Sequence, residues 1–281
     1  MAYQLFHGDC VDVLATLPAE SVDAVVTSPP YAMQRKSTYG GIPEADYPEW
    51  TVAWMREVWR VLKPNGSVII NIRPHIKNGQ ISDYTLRTRL ALRDAGWCEV
   101  DELIWLKRSA PPTGSPHKPR RSWESLHWFA KVGQPWSDAK ANGTAMSAAT
   151  LSRPEKIQVS GRAATEGWDH GYKGSGKFGA VARCRDFVEV NIGRPDKWAE
   201  QNVKHPAPYP WRLAEWCGKL ICPPGGTILD PFMGSASTGV AALRNGWHFI
   251  GIDAVEEYVD MSRRRLEAEQ SRTATDLFGA A

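Results

Sequence analysis

The sequence predicts an α/β fold, a sheet built from βαβ units and interrupted by a loop-rich central insertion, and three observations carry that prediction. Short apolar runs alternate with stretches of helical periodicity in the first part of the chain. From about Gly133 to Val190 the periodicity fades into Gly, Ser, Ala and basic residues. From Pro210 onward the alternation returns.

In chain order, Ala24–Val26 is an apolar strand, and Met55, Val58, Trp59 and Leu62 follow at helical spacing. Lys63-Pro64-Asn65-Gly66 reads as a turn into the strand Ser67–Ile72. A helical pattern runs through Leu86, Leu90 and Leu92, then strand-like Leu103–Leu106 and another strand in Leu126–Val132. In the middle, Gly171–Lys177 is the most glycine-rich stretch, and a structureless segment of this length inside a domain usually serves binding. The chain then predicts a helix near Pro210–Cys222 and a Pro223–Gly226 turn. The strand Thr227–Leu229, a helix from about Ala236, the strand Phe249–Ile252 and a last helix around Tyr258–Glu267 complete it.

The chain has 281 residues, 42% of them apolar, enough for one large domain with insertions or two modest ones. No apolar run approaches membrane-spanning length and the start lacks an export-signal pattern, so no membrane association and a cytoplasmic location are expected. Five scattered cysteines, Cys10, Cys98, Cys184, Cys217 and Cys222, include no Cys-x-x-Cys pair, so they are expected reduced and mostly buried, with no zinc site. Net charge is only +3, but residues 107–204 hold 17 Lys and Arg against 9 Asp and Glu. That concentration suits a polyanion meeting one face, although a solvated basic loop region would look the same. Of thirteen tryptophans, Trp54 and Trp59 sit in helical patterns, whereas Trp123, Trp136, Trp168 and Trp198 fall in the basic middle, where stacking on bases is available.

Two motifs carry chemistry. Thr27-Ser28-Pro29-Pro30-Tyr31 follows the strand Ala24–Val26. Each proline fixes its own φ and keeps the residue before it extended, so the Ser28 hydroxyl, the Pro29 carbonyl and the Tyr31 ring become fixed acceptors and a flat face. Read alone, the pentapeptide also fits an ordinary strand-ending turn. The strand Thr227–Leu229 runs into Asp230-Pro231-Phe232-Met233-Gly234-Ser235 and a helix, and 23 residues beyond Asp230 another strand ends in Asp253. A glycine at a strand-to-helix turn with an acid at the next strand tip suits a nucleoside and its ribose, while the missing third glycine argues against a pyrophosphate cradle.

With these residues in this order, the chain resembles the β class of amino DNA methyltransferases, whose catalytic loop precedes the target-recognition region and whose S-adenosylmethionine loop comes last. The resemblance implies a permuted Rossmann-like methyltransferase sheet with helices on both faces. Residues 1–106 and 205–270 would form the core, 107–204 the target-recognition region and 271–281 a flexible tail. It implies a catalytic role for Ser28, Pro29, Pro30 and Tyr31. Cofactor contacts would come from Asp9 and Cys10 (in Gly8-Asp9-Cys10), His205 (in His205-Pro206-Ala207), Asp230, Pro231, Phe232, Gly234, Ser235 and Asp253. Ala236 stands where the family often has a second glycine.

The activity so implied is methyl transfer from S-adenosylmethionine to the exocyclic amine of a flipped base in double-stranded DNA, with Ser28 and Pro29 accepting the two N–H bonds and Tyr31 stacking. No covalent intermediate and no metal is required. Adenine N6 and cytosine N4 stay open, since both offer one NH₂ to the same acceptors. DNA contacts are expected from Arg35, Lys36, Tyr39, Lys107, Arg108, Lys118, Arg120, Arg121, Trp123 and His127. The family's habit implies a homodimer, and Thr273–Phe278 resembles a peptide that binds sliding clamps. The alternatives are an RNA or protein-glutamine methyltransferase, in which the cofactor loop usually comes first, and a catalytically silent DNA-binding relative.

Overall fold

The strand β2 (Val22–Thr27) is buried along nearly its whole length, as a strand in the middle of a parallel sheet covered on both faces must be. The computed structural model, which describes residues 2–34, 40–109, 116–147, 180–191 and 209–278, places β2 in an eight-stranded sheet. The other strands of that sheet are β1 (Tyr3–His7), β3 (Leu62–Ile72), β6 (Cys98–Leu106), β7 (Trp123–Ala130), β8 (Phe187–Glu189), β9 (Thr227–Asp230) and β10 (His248–Asp253). Their order is β1-β10-β9-β2-β3-β7-β6-β8, with the first five parallel and β7 antiparallel to both its neighbours. A small hairpin, β4 (Ile76–Lys77) with β5 (Gln80–Ile81), stands apart. The expected turn at Lys63–Gly66 is a bulge within β3: pairing with β2 jumps from Val22–Leu62 to Ala24–Ser67.

Helix α1 (Cys10–Thr16) is capped by Asp9, whose carboxylate accepts the Val11 N–H at 2.8 Å. Helix α2 (Tyr47–Val61) begins with a proline in its first turn and buries Tyr47, Thr51, Trp54, Met55, Val58 and Val61, one stripe at helical spacing. Trp54, Met55, Val58 and Val61 of that stripe share a core cluster with Leu14, Val25, Val68, Ile70, Leu229 and Ile252. Ala24 and Val26, pointing the opposite way along β2, are equally buried, so the other face of the sheet is covered too. There α4 (Trp211–Ile221) packs on β2, β3 and α5 (Ser237–Arg244). Gly218 of α4 lies against Trp247, where a Cβ would come within 2.7 Å of the indole.

Helix α3 (Tyr84–Asp94) forms where periodicity predicts it but buries Tyr84, Thr85, Thr88 and Leu92, leaving Leu86 and Leu90 about half exposed. The last helix, α6 (Glu256–Phe278), runs past the boundary expected at residue 271. Residues 107–204 are not one insertion either. β7 and β8 complete the main sheet, and the second compact unit is 139–185, with an isolated bridge between Ala145 and Val181. The strand expected at Leu126–Val132 is β7, and its place in the main sheet was hidden because it carries Glu124, Ser125 and His127, polar residues that are nevertheless buried.

The sheet is pinned at one point by a buried carboxylate. Asp230, fully buried at the end of β9, accepts hydrogen bonds from Thr27 Oγ1 at 2.6 Å, Thr238 Oγ1 at 2.7 Å, Tyr209 Oη at 3.1 Å and Phe232 N–H at 3.1 Å. Burial still leaves its pKa raised, against the pull of those donors. An asparagine has one carbonyl oxygen where Asp230 has two acceptors, so it would turn an NH₂ toward one pair of donors. We expect Asp230→Asn to lower unfolding free energy in urea at pH 7 by about 2–3 kcal/mol; a variant as stable as the parent would remove the carboxylate from this role.

His127 gives a pH-dependent counterpart. Desolvation first, then the Arg89 charge, hold its pKa down at about 4 from 6.5. The folded chain keeps the ring neutral while the unfolded chain protonates it, so the stability is present above pH 6.5 and is lost as pH falls toward 4. Between pH 7 and 4.5 the parent should lose about 2–3 kcal/mol more than His127→Gln, at roughly 1.4 kcal/mol per pH unit. Parallel pH profiles for the two proteins would refute this.

Candidate active site

The carboxyl ends of β1, β10, β9 and β2 are adjacent, so the loops that follow them converge although they lie at residues 8–10, 254, 231–235 and 28–31. Outside this edge is where an open parallel sheet binds ligands. Gly8 N–H bonds the Asp253 carbonyl at 3.0 Å, drawing the first loop onto the last. Between these loops lies a cavity of about 250 Å³ lined by Asp9, Cys10, Pro30, Ile42, Trp50, Pro231, Phe232, Asp253 and Ala254.

Six of the predicted site residues therefore meet in one pocket: Asp9, Cys10, Pro30, Pro231, Phe232 and Asp253. Asp253 is 1% exposed, and its oxygens accept the Gly234 and Val255 N–H groups, each at 2.9 Å. Gly234 has a φ of +51°, and Ala236, at the N-cap of α5, a φ of +56°, a left-handed conformation that costs a residue with a Cβ about 1–2 kcal/mol. The pocket wall is aromatic: Phe232 packs against Trp50 and Trp54 with ring centroids 5.5 and 5.2 Å apart. Two carboxylates and an aromatic wall around a cavity of this size fit S-adenosylmethionine, which joins a flat base and a ribose diol to a cationic sulfonium.

Asp230 and Ser235 do not line this pocket. Asp230 is consumed by its four donors, and Ser235, 2% exposed, accepts from the buried Arg265. They support the loop and are set aside as direct contacts. Cys10 lines the pocket but is no nucleophile, since burial pushes its thiol up to about 12. His205, Arg35, Lys36 and Tyr39 lie outside the described residues, as do Trp168, Trp198 and Gly171–Lys177.

Beside the pocket, Ser28 is partly exposed and Pro29 buried, with Tyr31 partly exposed after them. The Tyr31 hydroxyl donates to Glu124 Oε2 at 2.9 Å and lies 3.4 Å from Asn71 Oδ1. Burial, then the Glu124 charge, push its pKa well above the ordinary tyrosine value, so Tyr31 stays neutral and its ring is held by the hydroxyl. Glu124, Asn71, Ile42 and Trp50 were invisible to sequence reading.

The expected DNA contacts divide. Lys107 is 6% exposed and ion-paired to Glu124 Oε1, and His127 is 2% exposed within β7, so neither faces solvent and both are withdrawn. Arg108 is exposed but paired with Glu189, and Lys118 donates to the Gly79 carbonyl at 2.6 Å. Arg120 and Trp123 are exposed and Arg121 partly so.

Comparison with known proteins agrees with this geometry. The chain is 26% identical over 279 residues to the type II methyltransferase M.PvuII of Proteus hauseri, covering 93% of this chain and 82% of the relative. It is 28% identical over 281 residues to the type II methyltransferase M2.DpnII of Streptococcus pneumoniae, covering 94% and 90%. The solved PvuII cytosine-N4-specific DNA methyltransferase shares the fold, with a TM-score of 0.70 at 22% identity over 99% of this chain and 94% of that one. The M1.HpyAVI–SAM complex matches with a TM-score of 0.61 at 20% identity, covering 94% and 98%. With the DNA methylase family model N6_N4_Mtase matching residues 22–264 around these converging loops, the chain belongs to that family of DNA methylases.

Proposed function

We propose that this protein transfers a methyl group from S-adenosylmethionine to the exocyclic amino group of a base in double-stranded DNA. The observation that carries the reading is the placement of Ser28–Tyr31 beside the pocket, with Pro30 lining it and Tyr31 fixed from the far side by Glu124. An exocyclic amine gives its lone pair to the ring, so it attacks only when drawn toward tetrahedral geometry. Ser28 Oγ and the Pro29 carbonyl accept its two N–H bonds and favour that geometry as charge develops on nitrogen. The Tyr31 ring offers the stacking face for a base turned out of the duplex. Asp253 accepts from the ribose hydroxyls, while Trp50 and Phe232 exclude water around the donor end. The cofactor supplies an electrophilic methyl on sulfur. The acceptors serve adenine N6 and cytosine N4 alike, and the product decides between them.

Self-association into a homodimer belongs to the same proposal, supported by the exposed Leu86 and Leu90 on α3 and Ile76 and Ile81 on the hairpin. The clamp contact of Thr273–Phe278 rests on sequence alone. Among the described residues, no helix is long and apolar enough to cross a membrane.

Incubation with labelled S-adenosylmethionine and duplex DNA, followed by digestion to nucleosides, should yield N6-methyladenosine or N4-methylcytidine in the deoxy series. Absence of label on every DNA tested would defeat the reading. Tyr31→Ala should lower turnover about 100-fold or more, a loss typical when a stacking and orienting group is removed, while cofactor affinity changes less than about threefold. Equal losses in both would make Tyr31 part of the pocket's scaffold.

A further inference from the structure

Three cations surround one carboxylate behind the catalytic loop. Glu124, 7% exposed, has both oxygens engaged: Oε2 accepts from Tyr31, and Oε1 faces Lys107 Nζ and Arg73 Nη1, the latter at 3.5 Å. Arg121, three residues before it, is partly buried and makes no hydrogen bond or ion pair among the described residues. Burial, then the neighbouring Arg73, lower the Arg121 pKa, as expected of a guanidinium held near a like charge. The nearby Glu44 brings no relief, being bound to His75 at 2.8 Å and Ser82 at 2.7 Å, with Lys77 at 3.8 Å. An excess of two positive charges is left on the edge that carries Tyr31.

That excess has a defined position. Arg73 directly follows the last residue of β3, and Arg121 lies two residues before β7, whose Ser125 pairs with Ile72. Both guanidinium-bearing residues therefore leave the sheet at the end from which the catalytic loop emerges. Neither lines the cofactor pocket.

We propose that Arg73 and Arg121 form an anion site for one phosphate flanking the nucleotide whose base enters the catalytic loop. The inference rests on the DNA methyltransferase reading and specifies how the turned-out nucleotide is held. A base stacked on Tyr31 brings its own phosphodiester with it, and planar guanidinium groups match phosphate oxygens in pairs. A backbone contact of this kind fixes register without reading sequence. Lys107, ion-paired to Glu124, stays in the core.

The test uses a duplex carrying the methylation site, with a neutral methylphosphonate placed in turn at the phosphates 5′ and 3′ to the target nucleotide. One of these should weaken binding to the parent protein about tenfold. Arg121→Gln should bind the unmodified duplex about tenfold more weakly, lose about one unit of salt dependence, and lose much less than the parent does from the same methylphosphonate. Arg121→Lys should recover part of the affinity. Arg121 makes no hydrogen bond or ion pair among the described residues, so the glutamine variant should melt within a few degrees of the parent, and Arg73→Gln provides a second arm with its melting followed in parallel. Additive losses from variant and methylphosphonate would overturn the proposal. So would weakened S-adenosylmethionine binding by Arg121→Gln without DNA, which would assign the cluster to the cofactor carboxylate. If no DNA is methylated at all, the function itself fails, and that result is distinct from methylation that ignores these arginines.

Discussion

The Asp230 carboxylate is the constraint on which the site geometry depends. It sits at full burial and is held there by donors from Thr27, Tyr209, Phe232 and Thr238. A charge so placed is tolerable only because its acceptor positions are filled, and each donor belongs to a different part of the fold. Thr27 ends the strand that launches Ser28, Phe232 walls the cofactor pocket, and Thr238 opens α5, where its hydroxyl also meets the Val26 carbonyl at 3.2 Å. One buried group thus sets the distance between the Ser28–Pro29 segment, the proposed amine acceptors, and the pocket proposed for the methyl donor. Methyl transfer is sensitive to that distance, since displacement by an ångström is enough to cost orders of magnitude in rate.

A second anchor works from the opposite end of the same loop. Thr27 fixes its start through Asp230, and Tyr31 fixes its end through Glu124 on β7. Between them lie two prolines with little freedom of their own. The loop spans from the parallel half of the sheet to its antiparallel half, because Glu124 belongs to β7, which pairs with β3. The antiparallel strands therefore help hold the loop, although they contribute no residue to the pocket.

What was legible in the sequence follows from range. The strands Ala24–Val26, Ser67–Ile72, Thr227–Leu229 and Phe249–Ile252 announce themselves by local apolar runs, and the motifs at Ser28–Tyr31 and Asp230–Ser235 by residue type and order. Local pattern could not show that β7 is buried, because Glu124, Ser125 and His127 become core residues only through partners at Tyr31, Lys107, Glu102 and Asn71. Asp230 misled in the reverse direction. A carboxylate at a strand tip suggests a ligand contact, and the donors that consume it lie as far as 203 residues away.

Charge shows the same limit most sharply, and it bears on how the protein meets DNA. Counting gave residues 107–204 a large positive excess, but a cation already paired in the folded protein displaces few counterions from a duplex. Lys107 is spent on Glu124, Arg108 on Glu189 and Lys118 on a backbone carbonyl, while His127 is neutral inside the sheet. Among the predicted contacts that are described, the charge still available gathers at Arg120 and Arg121, beside the half-exposed Trp123 and against the Tyr31–Glu124 anchor. On the proposed function, a short cationic edge next to the Tyr31 ring favours a backbone held close to a turned-out base over a broad electrostatic footprint. Affinity from such an edge would be local, acting in that proposal on the nucleotide being methylated and leaving the reading of the surrounding sequence to other residues.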